Sequence, residues 1–324
     1  MDQLEITVLV DNTTVRPDLC SEHGLSMWVA IDGKHILFDT GMGIALAENA
    51  VTLGVDLGRT DAIVLSHGYF DHTGGLPHVF ERGATPRIFM HPDAVEMRYG
   101  SLQTPPARPI GMRAEIAELL SKKTADILKT LNPTQVTNHL WVTGPIPRRT
   151  SFEDTGGPFF MDEDCHVKDA ITDDQAIWME TAEGIAVLLG CAHSGVVNTL
   201  DYIAELTGST RFHAVIGGMH LLNASAERLE ATIDALKRYQ VGGIVPCHCT
   251  GEAPMQMLKD LFPKAYVPGG AGNRFSFPVC ALQPACSCAN RKSRNPGLSV
   301  AKSRRPEYTR LESENDIRPV GDPS

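Results

Sequence analysis

The run Ser66-His67-Gly68-Tyr69-Phe70-Asp71-His72-Thr73-Gly74-Gly75 constrains this chain more than any other segment. It sets two imidazoles and a carboxylate directly after Ala62-Ile63-Val64-Leu65. That apolar run is short and β-branched, and it reads as a buried strand. The glycine pair permits a sharp turn out of it. Imidazoles and a carboxylate crowded at a strand's exit are poor core material and good ligands for zinc or iron. The plain alternative is a loop that happens to be rich in His. The rest of the chain argues for ligands, because His193, His220 and His248 each follow an apolar run, at 185–189, 213–216 and 244–245. Strand ends on one sheet edge converge, so one site can collect them. The ligand candidates are His67, Asp71, His72, His193 and His248. His220 is either a ligand or a group that polarises substrate. Asp39 ends an apolar run and is expected to orient a ligand imidazole through a hydrogen bond. Asp173-Asp174 reads first as a solvated turn, and His78, His91, His139 and His213 as structural.

The ten-residue run resembles the metal-binding motif His-x-His-x-Asp-His of the metallo-β-lactamase superfamily. His67, Asp71 and His72 match it, and Tyr69 stands where the second His belongs. Further segments come in the expected order: Val10-Asp11-Asn12-Thr13, Glu22-His23-Gly24-Leu25-Ser26, Phe38-Asp39-Thr40-Gly41, Asp173-Asp174-Gln175-Ala176, Gly190-Cys191-Ala192-His193-Ser194-Gly195, Gly217-Gly218-Met219-His220 and Cys247-His248-Cys249-Thr250-Gly251. Together, over about residues 4–277, they are similar to the branch named after 7,8-dihydropterin-6-methyl-4-(β-D-ribofuranosyl)-aminobenzene-5'-phosphate synthase. The resemblance implies an α/β (α+β) fold, a four-layer αβ/βα sandwich. It implies one or two divalent metal ions, zinc first, with iron or manganese as alternatives. Asp71 and His220 are then the catalytic candidates, and Cys191 rivals His193 as a ligand. In the superfamily a metal-bridging carboxylate follows a strand-ending Gly, as Cys191 follows Gly190. The expected activity is hydrolysis of, or transfer at, an ester, lactone or phosphoester of a small molecule, pterin-like or a phosphorylated ribofuranosyl aromatic. Tyr69 leaves three outcomes open: one metal, a phenolate ligand, or a non-catalytic ligand-binding protein on the same fold.

Bulk properties narrow the partners. With 39 Asp and Glu against 29 Lys and Arg, the formal charge is −10, and basic residues concentrate in 281–324. An acidic body argues against nucleic acid as the main partner. No run of 18 apolar residues is present, so no membrane span is expected. The N-terminus lacks a basic start and an apolar signal core, which reads as cytoplasmic, with thiols rather than a disulfide frame. No Gly-x-Ser-x-Gly elbow and no Walker-type phosphate loop occur. The late run Gly269-Gly270-Ala271-Gly272-Asn273-Arg274 opens no helix; it is a turn or, less simply, an anion cradle. Cys247-x-Cys249 lacks the two-residue gap of redox motifs.

Along the chain, residues 4–10, 26–31, 35–38, 62–65 and 87–90 read as strands, with Asp32-Gly33 as a hairpin turn. Residues 41–54 contain an Ala/Leu-rich stretch expected to be helical, and 76–82 start the next helix. Residues 98–150 change character, with prolines and a helical pattern at 112–131, and read as an insertion over the site, either a substrate cap or a structural spacer. After it, strands at 176–181, 185–189, 213–216 and 244–245 alternate with helices at 195–206, 224–239 and 253–261. The expected division is a domain over 1–280 and a disordered tail over 281–324. The tail is poor in large apolar side chains and holds Cys286 and Cys288, next to Cys280, too few thiols for a zinc site.

Overall fold

Alternating apolar residues build two face-to-face sheets in the computed structural model of the protein, which describes residues 3–101, 105–122 and 127–279. The tail at 281–324, with Cys280, Cys286 and Cys288, lies outside the described residues. Strand β1 (Gln3–Val10) is followed by the hairpin β2 (Ser26–Ile31) and β3 (Lys34–Phe38), helix α1 (Leu46–Thr52) and β4 (Ala62–Val64). Helices α2 (Phe70–Thr73) and α3 (Leu76–Glu81) lead to β5 (Arg87–Met90). Short strands β6 (Tyr99–Gly100) and β7 (Arg108–Pro109) precede α4 (Ala114–Lys122), β8 (Ile127–Lys129), β9 (Thr134–Gln135), β10 (Leu140–Val142) and β11 (Phe159–Phe160). The second half runs β12 (Ile177–Thr181), β13 (Gly184–Leu189), α5 (Val196–Thr207), β14 (Phe212–Gly218), α6 (Ala226–Arg238), β15 (Gly243–Cys247), α7 (Glu252–Leu261) and β16 (Arg274–Pro278).

The first sheet has the order β16-β1-β2-β3-β4-β5-β8, and the second β15-β14-β13-β12-β10-β9. A small third sheet joins β11, β6 and β7. The side-chain period of two decides which layer each residue enters. Met27, Val29, Ile36, Phe38, Ala186, Leu188, Ala214 and Ile216 fill the core between the two large sheets. Trp28, Leu37 and Ile63 turn the other way and pack with Leu46, Leu76 and Ile116 of the flanking helices. Val187, Leu189 and Val215 pack likewise against Leu200, Ile233 and Leu258. Three apolar cores therefore separate four layers: helices, sheet, sheet, helices.

Asp32-Gly33 forms the expected two-residue turn, both residues at positive φ (55° and 69°), with Ile31 opposite Lys34. The helical reading of 112–131 is corrected. Among the described residues helix α4 covers Ala114–Lys122, and Ile127–Lys129 pairs in parallel with β5. Two β-compatible apolar residues at the sheet edge mimicked helical spacing. The helical stretch expected within 41–54 is Leu46–Thr52, and 41–45 wrap around the carboxylate of Glu22. That carboxylate accepts the N–H groups of Met42, Gly43, Ile44 and Ala45 at 2.6–3.3 Å. Residues 98–150 are divided between structures: β8, β9 and β10 belong to the two large sheets, and only β6 and β7 stand apart with β11. Among the described residues, no helix is long and apolar enough to cross a membrane.

Ile216 sits fully buried on the central parallel strand of the second sheet. Ile216→Ala is expected to lower unfolding free energy by about 3 kcal/mol, through lost burial and the cavity left behind. Urea denaturation followed by circular dichroism measures this; a loss below ~1 kcal/mol would mean the site collapses around the cavity.

Candidate metal centre

Parallel strands aim their C-terminal ends at one rim. Strands β3, β4 and β5 run parallel, as do β13, β14 and β15. Asp39 follows β3, His67 follows β4, Cys191 and His193 follow β13, His220 follows β14, and His248 follows β15. Helix α2 supplies Asp71 and His72. The chain turns sharply at these exits. Asp39, Ala192, His220 and His248 all hold positive φ, at 56°, 53°, 46° and 49°. Each costs about 1 kcal/mol in a residue with a Cβ and persists only where the surroundings enforce it. The structure brings all the candidate residues of the sequence reading to this rim.

The acceptors around the rim favour a proton on Nδ1 of each ligand-candidate imidazole. His72 Nδ1 lies 2.7 Å from Asp39 Oδ2, with both side chains fully buried. Asp39 also accepts Ser66 N at 2.7 Å and Ser66 Oγ at 2.6 Å. The Ser66 hydroxyl proton is thereby committed, so its oxygen accepts from His67 Nδ1 at 2.8 Å. His193 Nδ1 donates to the Thr155 carbonyl at 2.8 Å, and His248 Nδ1 to Asn12 Oδ1 at 2.8 Å. Four imidazoles thus donate through Nδ1 to oxygen acceptors, so that each keeps its lone pair on Nε2 when the ring is neutral; His248 Nε2 lies 3.3 Å from Asp71 Oδ2. The Nε2 atoms of His67 and His193 are buried with no protein partner, as is His220 Nδ1. His72 Nε2 and His248 Nε2 stand 3.3 Å apart. Two facing lone pairs at that distance repel unless a proton or a cation lies between them.

Charge is arranged to match. Burial alone would raise the Asp71 carboxyl, but the neighbouring His72 and hydrogen bonds from His23 and His248 hold it well below the usual carboxylate range. Burial pushes the imidazoles of His67 and His193 well down, helped by neighbouring imidazoles. His72 moves up despite burial, because Asp39 and Asp71 favour its cationic form. Neutral His67 and His193 with an anionic Asp71 are the protonation states that metal ligation requires. Burial also drives the Tyr69 phenol well up, so it stays neutral, a poor cation ligand. Its ring instead packs edge-on against His67 and His193, centroids 4.7 and 5.2 Å apart.

The donor atoms fall into overlapping sets, each within 4.8 Å: His67, His72 and Cys191; Cys191, His193 and His220; Cys191, His248 and Cys249; His23, Asp71 and His248. Two of these residues lay outside the candidate set read from the sequence. His23 places Nε2 3.1 Å from Asp71 Oδ2. It follows no strand, and its only signal was its place beside Glu22 in a matching segment. Cys249 adjoins His248 and was considered only as half of a redox pair. The orphaned nitrogens, the anionic carboxylate and the two sulfurs together suit a divalent cation.

Asp173 and Asp174 are corrected: they are buried, not a solvated turn. Asp173 accepts Gly68 N at 2.8 Å and pairs with buried Arg98 at 3.0 Å. Asp174 accepts Ser194 N at 2.7 Å. They fix the two loops that carry His67 and His193. His78, His91, His139 and His213 lie elsewhere, bonded to Gly43 O, Asp93 N, Asp32 and Thr181. The run at 269–274 is a turn tied to β1 through Asn273 and Gly272, and Arg274 donates to the Leu53 carbonyl.

A cavity of about 180 Å³ opens onto this rim, lined by Phe70, Ile110 and Phe159 on one side and by the His, Asp and Cys cluster on the other.

This architecture and site place the chain in the metallo-beta-lactamase superfamily, to which it belongs; the family's model matches residues 22–164. The Methanocaldococcus jannaschii protein MJ0448, itself uncharacterized, is 35% identical over 79% of this chain and 94% of its own length. The 7,8-dihydropterin-6-methyl-4-(beta-D-ribofuranosyl)-aminobenzene-5'-phosphate synthase of the same organism is 29% identical over 86% and 98%. The crystal structure of Tm1679, a metal-dependent hydrolase of the beta-lactamase superfamily, superposes with a TM-score of 0.72 at 30% identity, covering 84% of this chain and 98% of that one.

Burial raises Asp174 from 3.8 to about 6. Between those values the folded protein holds a proton that the unfolded chain releases, so this carboxyl's contribution is full at low pH and is lost as pH rises through about 6. Asp174→Asn removes that loss. Denaturation from pH 3 to pH 7 should show the variant gaining about 3 kcal/mol on the parent across the window; a parallel pair of profiles would refute the raised value.

Proposed function

We propose that this protein is a metal-dependent hydrolase acting on an ester, lactone or phosphoester of a small molecule. The observation that carries the reading is the shared orientation of four buried imidazoles, His67, His72, His193 and His248. Each donates through Nδ1 to an oxygen, which leaves Nε2 as its ligating atom when the ring is neutral. With Asp71 they would hold one or two divalent ions, zinc being the first candidate. When bound, such a cation supplies Lewis acidity and hydroxide near neutral pH.

The chain's own groups complete the reading. Asp71 is kept anionic at the rim. His23, 58% exposed and hydrogen-bonded to Asp71, is placed to carry a proton between the cavity and solvent. His220, with Nδ1 unpartnered, is placed to polarise a substrate oxygen or to join the ligands. The β6–β7–β11 sheet would act as a cap, bringing Phe159 over His193 and His220 at ring distances of 5.3 and 5.8 Å. With Phe70 and Ile110 it gives an apolar wall suited to a flat ring. A pterin-like or phosphorylated ribofuranosyl aromatic fits that wall, and the synthase among the relatives supports this class. A reducing, cytoplasmic setting would keep the cysteines of the cluster as thiols, free to act as ligands.

Elemental analysis of purified protein should find one or more equivalents of zinc, iron or manganese. His72→Ala should lose at least one equivalent and abolish hydrolysis across a panel of esters, lactones and phosphodiesters, with circular dichroism unchanged. Parent protein that folds without metal would favour a non-catalytic binder, and unchanged stoichiometry in His72→Ala would defeat the assignment. Tyr69→His should raise metal occupancy, because it adds an imidazole between His67 and His193; equal occupancy would place position 69 outside the ligand set.

A further inference from the structure

We infer that the cluster contains a thiolate seat, in which Cys191 and Cys249 with His248 bind a divalent cation through two sulfurs and one nitrogen. The inference rests on the metal reading above and adds ligands to it. Cys191, His248 and Cys249 present donor atoms within 4.8 Å of one another. Cys191 belongs to two other such sets, one with His67 and His72 and one with His193 and His220. Its sulfur lies 3.3 Å from His72 Nε2. It therefore occupies the middle of the cluster rather than its edge.

The backbone is shaped to deliver the second sulfur. His248 opens a short 3-10 turn, His248–Thr250, at φ 49°. That strained turn lets two consecutive side chains, His248 and Cys249, line the same cavity. Gly218 makes room for the thiol: a Cβ there would stand 2.7 Å from Cys249 Sγ. Gly218 itself bonds back to Gly190 at 3.1 Å, which fixes the loop bearing Cys191 beside it. A cysteine serving as a small apolar filler would sit in the sheet core, as Cys247 does, fully buried with its sulfur near Val245 O. Cys249 instead faces the cavity among imidazoles.

Two thiolates and an imidazole select a soft or borderline cation such as zinc or ferrous iron over manganese or magnesium. They also offset the imidazole that Tyr69 removes. The seat is thus a chemical departure from an all-imidazole and carboxylate centre.

Cobalt(II) is the probe, because thiolate ligation gives an intense near-ultraviolet charge-transfer band that nitrogen and oxygen ligands lack. Full-length protein, stripped by chelation and reloaded with cobalt, should show the band with four-coordinate d–d absorption. Cys249→Ser should cut the band by roughly half and Cys191→Ser,Cys249→Ser should erase it, while Cys20→Ser leaves it intact. Should the variants misfold, alkylation of wild-type protein decides: Cys249 should react with iodoacetamide in the stripped form and be protected by cobalt. Bound cobalt with no charge-transfer band and no protection overturns the thiolate seat while leaving the metal reading standing. Failure to bind cobalt overturns both.

Discussion

The buried carboxylate of Asp39 is the contact on which the rest of the site depends. It collects a backbone N–H and a hydroxyl from Ser66 and an imidazole N–H from His72. One group therefore sets the tautomer of two histidines, directly for His72 and through the serine oxygen for His67. A buried carboxylate is costly unless its oxygens are satisfied, and three charge-assisted donors satisfy this one. Asp39 can stand there because β3 and β4 are parallel neighbours whose ends coincide. The pairing of Phe38 with Val64 puts Asp39 level with the turn that carries Ser66 and His67. Sheet register and ligand chemistry are one arrangement.

The same economy recurs across the rim. Asn12 accepts from both Gly24 and His248, and so ties the loop bearing His23 to the loop bearing Cys249. Asp173 and Asp174 each hold one backbone N–H in a ligand loop. Glu153 takes the N–H groups of Val197 and Asn198 at the start of α5, next to the segment whose Thr155 carbonyl orients His193. Acidic side chains here are used mostly as acceptors for backbone and imidazole protons. This is how a strongly acidic chain buries so many carboxylates without pairing each with a Lys or Arg.

Much of this was legible in the sequence. Period-two runs such as Met27, Val29 and Ile31 located the sheets, Asp32-Gly33 located the hairpin, and a histidine after each apolar run located the rim. What stayed hidden depends on distant partners. Asp173 looks like any polar turn until Arg98 and Gly68 arrive beside it. Ile127 and Leu128 look helical until β5 offers them a sheet edge. His23 and Cys249 carry no periodic signal, and only the folding of the first strands against the last brings them together.

The space beneath Phe159 has a further consequence. A cavity of 180 Å³ is smaller than the several hundred cubic ångströms that enclose a drug-sized ligand. A molecule larger than that places only one end inside, and the rest of it lies outside the cavity. Discrimination between ligands would then fall to the residues at the doorway, Phe70, Ile110 and Phe159, rather than to the buried histidines.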